Sequence, residues 1–138
     1  MKKIVLITCA SKKQNKKLKA KEIYVSPLFK FNLAYAKKLN PDQIFILSAK
    51  YGLLDLEKEI EPYNETLNNK TEKEIKSWSE NVLNQMRKKI DIRNDEIIFL
   101  AGEKYRKYLI PHLKNYSIPL KGLGIGKQLS YLKKEISK

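Results

Sequence analysis

The run QIFILSAKYG, residues 43–52, has the pattern of a buried strand that is followed directly by a cation, an aromatic ring and a glycine, namely Lys50, Tyr51 and Gly52. Its first part, Gln43–Ser48, is apolar, and the apolar residues are continuous rather than alternating. Continuous apolar runs are expected in strands that are covered on both faces, as they are in parallel sheets. Similar runs recur at residues 4–8 and Glu96–Leu100, with a weaker one at residues 117–123. The sequence therefore predicts four strands of a mostly parallel sheet.

Helical patterns separate these strands. Ser26, which stands before a proline, indicates one helix N-cap, and Thr71 opens the pattern of a capping box for another. Apolar residues then recur every three or four positions, as they also do in residues 105–113 and 125–136. The order β-α-β-loop-α-β-α-β-α predicts one α/β domain, residues 1–138, with helices on both faces of the sheet.

The carboxyl ends of the predicted strands carry most of the reactive and polar chemistry. In an open parallel sheet, ligands bind outside these ends. Small, polar, basic or glycine residues follow all four strands, at residues 8–13, 48–52, 101–105 and 121–127. We expect these segments to meet on one rim. The loop predicted at residues 53–70 is long for a compact domain, and long loops are often functional.

Three side chains on this rim are candidate catalytic groups: Cys9, Lys13 and Lys50. As a nucleophile, Cys9 would need a base or cation that favours its thiolate, and Lys12 or Lys13 could supply the cation. The alternative for Cys9 is a small buried hydrophobic role. Lys13 is either a nucleophilic amine or a solvated charge within an exposed basic loop. Asp55 and Glu103 are the carboxylates nearest to the rim, and neither is an obvious general base.

Other rim residues are suited to binding a substrate. Tyr51 beside Gly52 would stack on a base or sugar, or would form only a turn in which glycine accepts a positive φ. Tyr63, on the long loop, is either a lid over the rim or an anchor for the loop. Groups that could hold phosphate or sugar come from Ser11, Ser48, Gly102, Gly124, Gly126 and Lys127.

The glycine turn before the last helix has two interpretations. Gly122, Gly124 and Gly126 precede Lys127 where this helix begins. Backbone N–H groups at a helix N-terminus, with adjacent lysines, favour an anion. Close packing of the helix on the sheet explains the glycines as well. The spacing matches neither a Walker A loop nor a dinucleotide-binding fingerprint.

The composition restricts the class of protein. Lys and Arg number 29 and Asp and Glu 15, so the net charge is +14. Such a charge suits a phosphate-rich partner, or it reflects the coding bias of an AT-rich genome. With Cys9 and His112 as the single residues of their types, an internal disulfide and a Cys- or His-based metal site are excluded. We expect no metal, no cofactor and a structural His112 on an apolar helix face.

The hydropathy pattern gives no sign of a membrane segment. No stretch of the sequence reaches the roughly 18 to 20 apolar residues that a membrane helix needs. The basic N-terminus and its short β-branched run are interpreted as a first strand rather than as a signal peptide. We therefore expect a cytoplasmic protein without a membrane partner.

Taken together, these motifs resemble an uncharacterised family of small bacterial, archaeal and phage domains. The matching segments span nearly the whole chain. They are Cys9-Ala-Ser11-Lys-Lys13, Tyr24-Val-Ser26-Pro-Leu-Phe29, Leu47-Ser-Ala-Lys50-Tyr51-Gly52-Leu-Leu54, Pro62-Tyr63, Trp78, Ala101-Gly102, Pro119-Leu120 and Gly124-Ile-Gly126.

Part of this pattern is also similar to the core domain of archaeosine synthase, which modifies a 7-deazaguanine base in tRNA. The similar residues are Cys9 and Lys13, with Tyr24 and Ser26 downstream. In that family the lysine forms a covalent adduct with the base. The resemblance implies a reactive Lys13, with Tyr24 and Ser26 as substrate-binding residues. It also implies a three-layer α/β/α, Rossmann-like sandwich with a four-stranded sheet, for which a uracil-DNA-glycosylase-like form is one alternative.

The sequence therefore predicts an enzyme that acts on a nucleobase, a nucleotide or a nucleic acid. The reaction would be base modification or glycosidic-bond chemistry at the rim. Two other functions remain open: a non-catalytic nucleic-acid-binding module, in which the lysines matter and the rim does not, and a nucleotide-binding sensor. The sequence leaves the substrate and the oligomeric state open.

Overall fold

The computed structural model describes residues 1–10 and 12–138. The strands are β1 (Lys3–Thr8), β2 (Leu18–Lys19), β3 (Gln43–Ser48), β4 (Gly52–Asp55), β5 (Glu59–Ile60), β6 (Glu96–Leu100) and β7 (Tyr116–Ser117). The helices are α1 (Ala20–Ile23), α2 (Pro27–Lys38), α3 (Glu72–Lys89), α4 (Glu103–Arg106) and α5 (Ile125–Ile136), and 3₁₀ turns lie at Leu67–Asn69 and Ile110–His112. Within these residues, no helix combines the length and the apolar character needed to span a membrane.

The central sheet has five strands in the order β4-β3-β1-β6-β7. β1 is parallel to β3 and β6, and β6 is parallel to β7, whereas β4 is antiparallel to β3. The prediction of a mostly parallel sheet is therefore confirmed. Thr8 pairs with Leu47, and Ile7 pairs with Leu100. β1, β3 and β6 thus end together on one rim.

The sheet differs from the predicted four strands at both edges. The segment 53–70, expected to be a loop, begins inside β4, because Gly52 turns the chain back onto β3 with a φ of 72°. The fourth strand is expected over residues 117–123. In the structure it is the short β7, Tyr116–Ser117, so that only Ser117 of the expected segment lies in a strand. Pro119 follows, and a proline has no backbone N–H to donate to a sheet.

Apolar layers cover both faces of the sheet. On one face α3 packs against strand side chains that include Leu6 and Phe99. On the other face α2 and α5 pack against a set that includes Val5, Ile46 and Leu100. Successive strand residues enter opposite layers, so the strand sequences are continuously apolar. The prediction of helices on both faces is confirmed.

Two of the predicted helices begin as expected, and one predicted helix is broken. Ser26 caps α2, and Thr71 opens α3 with a complete capping box. The helix expected over residues 105–113 is reduced to the short α4 and a 3₁₀ turn. Pro111 lies in that turn and cannot supply the N–H that a helix needs. His112 beside it is exposed, so its expected place on an apolar face is wrong.

Candidate functional site

Three hydroxyl groups form a chain at the end of β3. The Tyr24 and Tyr63 oxygens are 2.6 Å apart, and the Tyr63 oxygen is 2.7 Å from Ser48 Oγ. All three side chains are buried. Burial raises the pKa values of Tyr24 and Tyr63 well above the usual range of a tyrosine. The two phenols are therefore neutral at any physiological pH.

The backbone beyond β3 sets the direction of the hydrogen bond between Ser48 and Tyr63. Ser48 Oγ accepts from the N–H groups of Lys50 and Tyr51, at 3.3 and 3.0 Å. A hydroxyl has two lone pairs and one proton, so an oxygen that accepts twice donates in its third contact. Ser48 then donates to Tyr63. Between Tyr63 and Tyr24, either hydroxyl can be the donor.

Lys13 lies over this chain of hydroxyls. Its backbone forms an antiparallel bridge with Tyr24. Its Nζ is 4.2 Å from the ring centroid of Tyr63 and 5.6 Å from that of Tyr24, so both rings make cation–π contacts with it. Burial lowers the pKa of the Lys13 amine, whereas a charge on the nearby Cys9 thiol opposes that shift. A lowered pKa increases the neutral fraction of a lysine amine, and the neutral form is the one that acts as a nucleophile or base.

Cys9 joins this cluster to the rest of the rim. It follows β1 directly and is half-buried. Its backbone N–H donates to the Leu47 carbonyl at 3.1 Å, and its thiol donates to the Tyr105 oxygen at 3.6 Å. The Trp78 ring packs edge-on against Tyr105, with centroids 5.5 Å apart, and its Nε1 donates to the Ser48 carbonyl at 2.9 Å. These contacts connect the ends of β1 and β3 through two aromatic rings.

A cavity of about 650 Å³ opens at the carboxyl ends of β1 and β6. Its wall includes Cys9, Leu100 and Gly102, together with Ser26 at the start of α2 and Gln128 in the first turn of α5. From β1 the chain passes to β3 on one side, and it later reaches β6 on the other side. The cavity thus lies where the winding of the sheet reverses, which is the usual ligand position in open α/β sheets. Its volume is typical of small-molecule sites.

The predicted site residues fall into four groups. Cys9, Ser26 and Gly102 line the cavity. Lys13, Tyr24, Ser48 and Tyr63 form what we call the lysine–tyrosine cluster beside it. Gly124, Gly126 and Lys127 lie at the start of α5, where Ile125 and Gln128 reach the cavity. Lys50, Tyr51 and Gly52 form the turn after β3, and Ser11 lies outside the described residues.

Tyr63 and Tyr51 are held by packing. The Tyr63 side chain is only 7% exposed, so the structure favours an anchor over a lid. The half-buried Tyr51 ring stands edge-on to Tyr63, with centroids 5.6 Å apart. The exposed Lys50 lies over the Tyr51 ring, with its Nζ 5.4 Å from the centroid.

The turn after β3 has a structural reason for its glycine. Gly52 has a φ of 72°, and a Cβ at this position would collide with the side-chain oxygen of Gln85. That oxygen accepts from the Leu53 N–H at 2.9 Å, while the Gln85 amide nitrogen donates to the Tyr51 carbonyl at 3.2 Å. Gln85 thus fixes the turn that positions Ser48. Sequence reasoning missed Gln85 because it belongs to the polar side of a helix far along the chain.

The glycines around the start of α5 differ from one another. Gly122 has a φ of 82°, in the left-handed region that favours glycine, and forms a turn. A Cβ at Gly124 or Gly126 would meet no atom of the described residues within 4 Å, so close packing on the sheet does not explain them. Gly124 is the N-cap and brings no side chain to the first N–H groups of the helix.

Charged side chains of both signs stand around the cavity. They are Glu72, Glu103, Lys104, Arg106 and Lys107. Glu72 accepts from the Tyr108 hydroxyl and pairs with Lys107 at 3.4 Å. Among residues 1–10 and 12–138, no group of three or more His, Cys, Asp or Glu side chains is placed to hold a metal ion.

Fold and site together define an α/β protein with a cavity at the winding reversal of a mostly parallel sheet. The chain belongs to a family of unknown function, DUF6884, whose model matches residues 4–134. The predicted resemblance to an uncharacterised family is thereby confirmed. No curated protein and no solved structure matches the chain. The similarity to archaeosine synthase stays a prediction.

Proposed function

We propose that this protein is an enzyme that acts on a nucleobase, either in a nucleotide or in a nucleic acid. The reaction is base modification or chemistry at the glycosidic bond. One observation carries the proposal: Cys9 lies in the wall of the cavity, and a charge on its thiol acts on the pKa of Lys13. The Lys13 amine rests on the rings of Tyr63 and Tyr24. A ligand in the cavity would therefore meet the Cys9 thiol, and the lysine–tyrosine cluster would supply the amine from outside the cavity wall.

The lysine–tyrosine cluster supports a reactive role for Lys13. The amine rests on the Tyr63 and Tyr24 rings, and burial disfavours its charged form. A neutral amine can attack an electrophilic carbon or accept a proton. Tyr24 lies at one end of the chain of hydroxyls, and its phenol stays neutral. The cluster thus combines a nucleophile or base with neutral hydroxyl groups.

The surroundings of the cavity support a nucleobase as the substrate. Leu28, Leu100 and Leu120 give part of its wall an apolar surface, which suits a planar ring. The net charge of +14 attracts phosphate-bearing molecules. The four parallel strands run in the order second, first, third, fourth, which supports a doubly wound, Rossmann-like sandwich. The uracil-DNA-glycosylase-like form remains part of this proposal.

The test is a search for products with matched lysine variants. Purified protein is incubated with nucleosides, nucleotides, 7-deazaguanines and short DNA and RNA, and the products are separated by liquid chromatography and mass spectrometry. We expect one substrate to be converted by the wild type and by Lys16→Met, an exposed control from the same basic segment. Cys9→Ala and Lys13→Met should lose the conversion. Equal conversion by all four proteins would contradict the proposed roles of Cys9 and Lys13.

A non-catalytic nucleic-acid-binding module is the second candidate, favoured by the net charge of +14. Its binding would weaken steeply with salt, because each neutralised phosphate releases counterions. It would also survive Cys9→Ala and Lys13→Met together. The absence of any product, with salt-sensitive binding of the same strength in every variant, would establish this function instead.

A further inference from the structure

A polar side chain occupies a core-facing position of α2. Asn32 lies on the buried side of this helix with Phe29 and Ala36, and only 5% of its surface is exposed. Its carboxamide oxygen Oδ1 is buried without a hydrogen-bond partner among the residues that the structure describes. A buried acceptor without a donor costs stability, so an apolar residue of the same size would be the better choice for folding alone.

Asn32 also lines the cavity. The last side-chain torsion of an asparagine is soft, so rotation about χ2 can turn either its oxygen or its nitrogen toward the cavity. A carboxamide presents an acceptor next to a donor. Asparagine uses this pair to bind the donor–acceptor edge of a nucleobase, as it does with adenine. The missing partner of Asn32 is therefore explained by a ligand with such an edge.

Two helix N-termini reach the same cavity. Leu28 and Phe29 of the first turn of α2, and Ile125 and Gln128 of the first turn of α5, belong to its wall. The N-cap Gly124 leaves the first N–H groups of α5 without a side-chain acceptor. The space next to Gly124 and Gly126 is open, so an anion can approach the backbone closely. Helix N-termini of this kind favour phosphate.

These two features share one cavity. Asn32 and the first turn of α5 both belong to its wall, and its volume of about 650 Å³ is sufficient for a nucleotide. We infer that the cavity binds a mononucleotide, with its phosphate at the N-terminus of α5 and its base edge at Asn32. This inference rests on the proposed function and specifies the substrate class of the same site. It assigns Asn32 as the residue that recognises the base.

The inference makes an unusual joint prediction for Asn32→Leu. Replacing the carboxamide by an apolar side chain of similar size should raise the melting temperature of the unliganded protein. The same change should weaken nucleotide binding by about tenfold, the value of one good hydrogen bond. Asn32→Ala is measured in parallel in case leucine crowds the cavity. A merely structural asparagine would lower the melting temperature when replaced.

Calorimetric titration and thermal melting with AMP, GMP, CMP and UMP test this prediction. Ribose 5-phosphate tests the phosphate part alone, and its binding should be equal in the wild type and in Asn32→Leu. Gln43→Leu is the matched control. Gln43 also has a buried amide oxygen that finds no partner in residues 1–10 and 12–138, but it stands at the opposite end of β3 from the rim. It should leave nucleotide binding unchanged.

Two results would overturn the inference: no binding of any of the four nucleotides at millimolar concentration, or equal binding by the wild type and both Asn32 variants. Failure of the proposed function has a different signature. If nucleotide binding depends on Asn32 but turnover is unchanged in the Cys9 and Lys13 variants, the nucleotide site is supported and the proposed chemistry is contradicted. If turnover is lost in the Lys13 variant but nucleotide binding is unchanged in the Asn32 variants, the chemistry is supported and the nucleotide site is contradicted.

Discussion

Tyr63 holds the interior of the candidate site together. Its hydroxyl lies between those of Tyr24 and Ser48 and hydrogen-bonds to both. Its ring contacts the Lys13 amine and packs edge-on against the Tyr51 ring. Its neighbours in this chain of hydroxyls come from distant parts of the sequence, 39 and 15 residues away. No local pattern encodes such a contact, so the sequence could place Tyr63 only as a lid or an anchor.

We predict that Tyr63→Phe destabilises the protein by about 1 to 3 kcal/mol, because the buried Tyr24 and Ser48 hydroxyls each lose a partner. Urea unfolding measures this change in the free energy of unfolding. Tyr51→Phe is the control, since Tyr51 is half-buried and contributes no hydroxyl to the chain. Its effect should stay within about 0.5 kcal/mol. Equal effects of the two substitutions would contradict the described hydrogen bonds.

Lys13 gives the site a pH dependence with a defined sign. Burial lowers its pKa in the folded protein below the ordinary value of 10.5. Between the folded and the unfolded pKa, the unfolded chain therefore binds more protons, and stability rises with pH. The cost of burying the charged amine is fully present below the folded pKa and is relieved as the pH rises toward the unfolded value.

We predict that the stability of Lys13→Met relative to the wild type falls as the pH rises toward 10.5, because only the wild type is relieved of a buried charge. The difference between the two unfolding free energies is measured by urea titration at several pH values, so that the titration of the tyrosines largely cancels. Lys16→Met, at an exposed position, should show a difference that does not change with pH. A stability of Lys13→Met that rises with pH relative to the wild type would contradict the lowered pKa.

Among the secondary-structure elements, α3 stabilises the site through side chains that contact the end of β3 and the residues after it. Trp78 and Gln85 extend from this helix to the end of β3 and to the turn that follows it. The turn needs a residue that adopts a positive φ and that has no Cβ to collide with Gln85. Glycine at position 52 meets both conditions. The chemistry of Lys50, Tyr51 and Gly52 therefore serves first to shape the turn that presents two backbone N–H groups to Ser48.

We predict that Gly52→Ala lowers the free energy of unfolding by about 1 to 3 kcal/mol, because alanine is strained at a positive φ and its Cβ collides with Gln85. Gly126→Ala is the contrasting change. A Cβ there meets open space inside a helix, so stability should be unchanged or rise by about 0.5 to 1 kcal/mol. Chemical denaturation compares both variants with the wild type. A larger loss of stability in Gly126→Ala than in Gly52→Ala would contradict the open space at Gly126 and the crowding at Gly52.

The sequence predicts those elements in which a continuous segment is buried on both faces, because the segment is then mostly apolar. β1, β3 and β6 lie between two apolar layers, so their positions follow from continuous apolar residues. β4 depends on Gln85, which is 32 residues from Leu53, and therefore has no local signal. The helix expected over residues 105–113 fails at Pro111, which the apolar spacing does not reveal.

The candidate site is less predictable than the sheet. The rule that ligands bind at strand ends led to Cys9 and Gly102 on the cavity, and the resemblance to archaeosine synthase led to Ser26. Asn32 was missed because a polar residue in a helix is normally assigned to the exposed side. Only the fold shows that it faces the core with an unsatisfied oxygen. A functional residue of this kind breaks the pattern on which sequence reasoning depends.

For the whole molecule, the main question is whether its charge or its cavity determines the function. The net charge of +14 attracts any polyanion and is screened by salt. The cavity, by contrast, offers a specific set of groups: the Cys9 thiol, the Asn32 carboxamide and the N-terminus of α5. Binding of one small ligand in the cavity should depend on salt much less than binding of a polyanion to the surface, because far fewer phosphates are neutralised.

The most direct test is a thermal-shift screen at low and high salt. The ligands are bases, nucleosides, nucleotides, 7-deazaguanines and short DNA and RNA, and the proteins are the wild type, Lys13→Met and Asn32→Leu. The proposed site predicts a rise in melting temperature with one small ligand at both salt concentrations, reduced in both variants. A shift with every nucleic acid that disappears at high salt and is equal in all three proteins would contradict a ligand site on the rim.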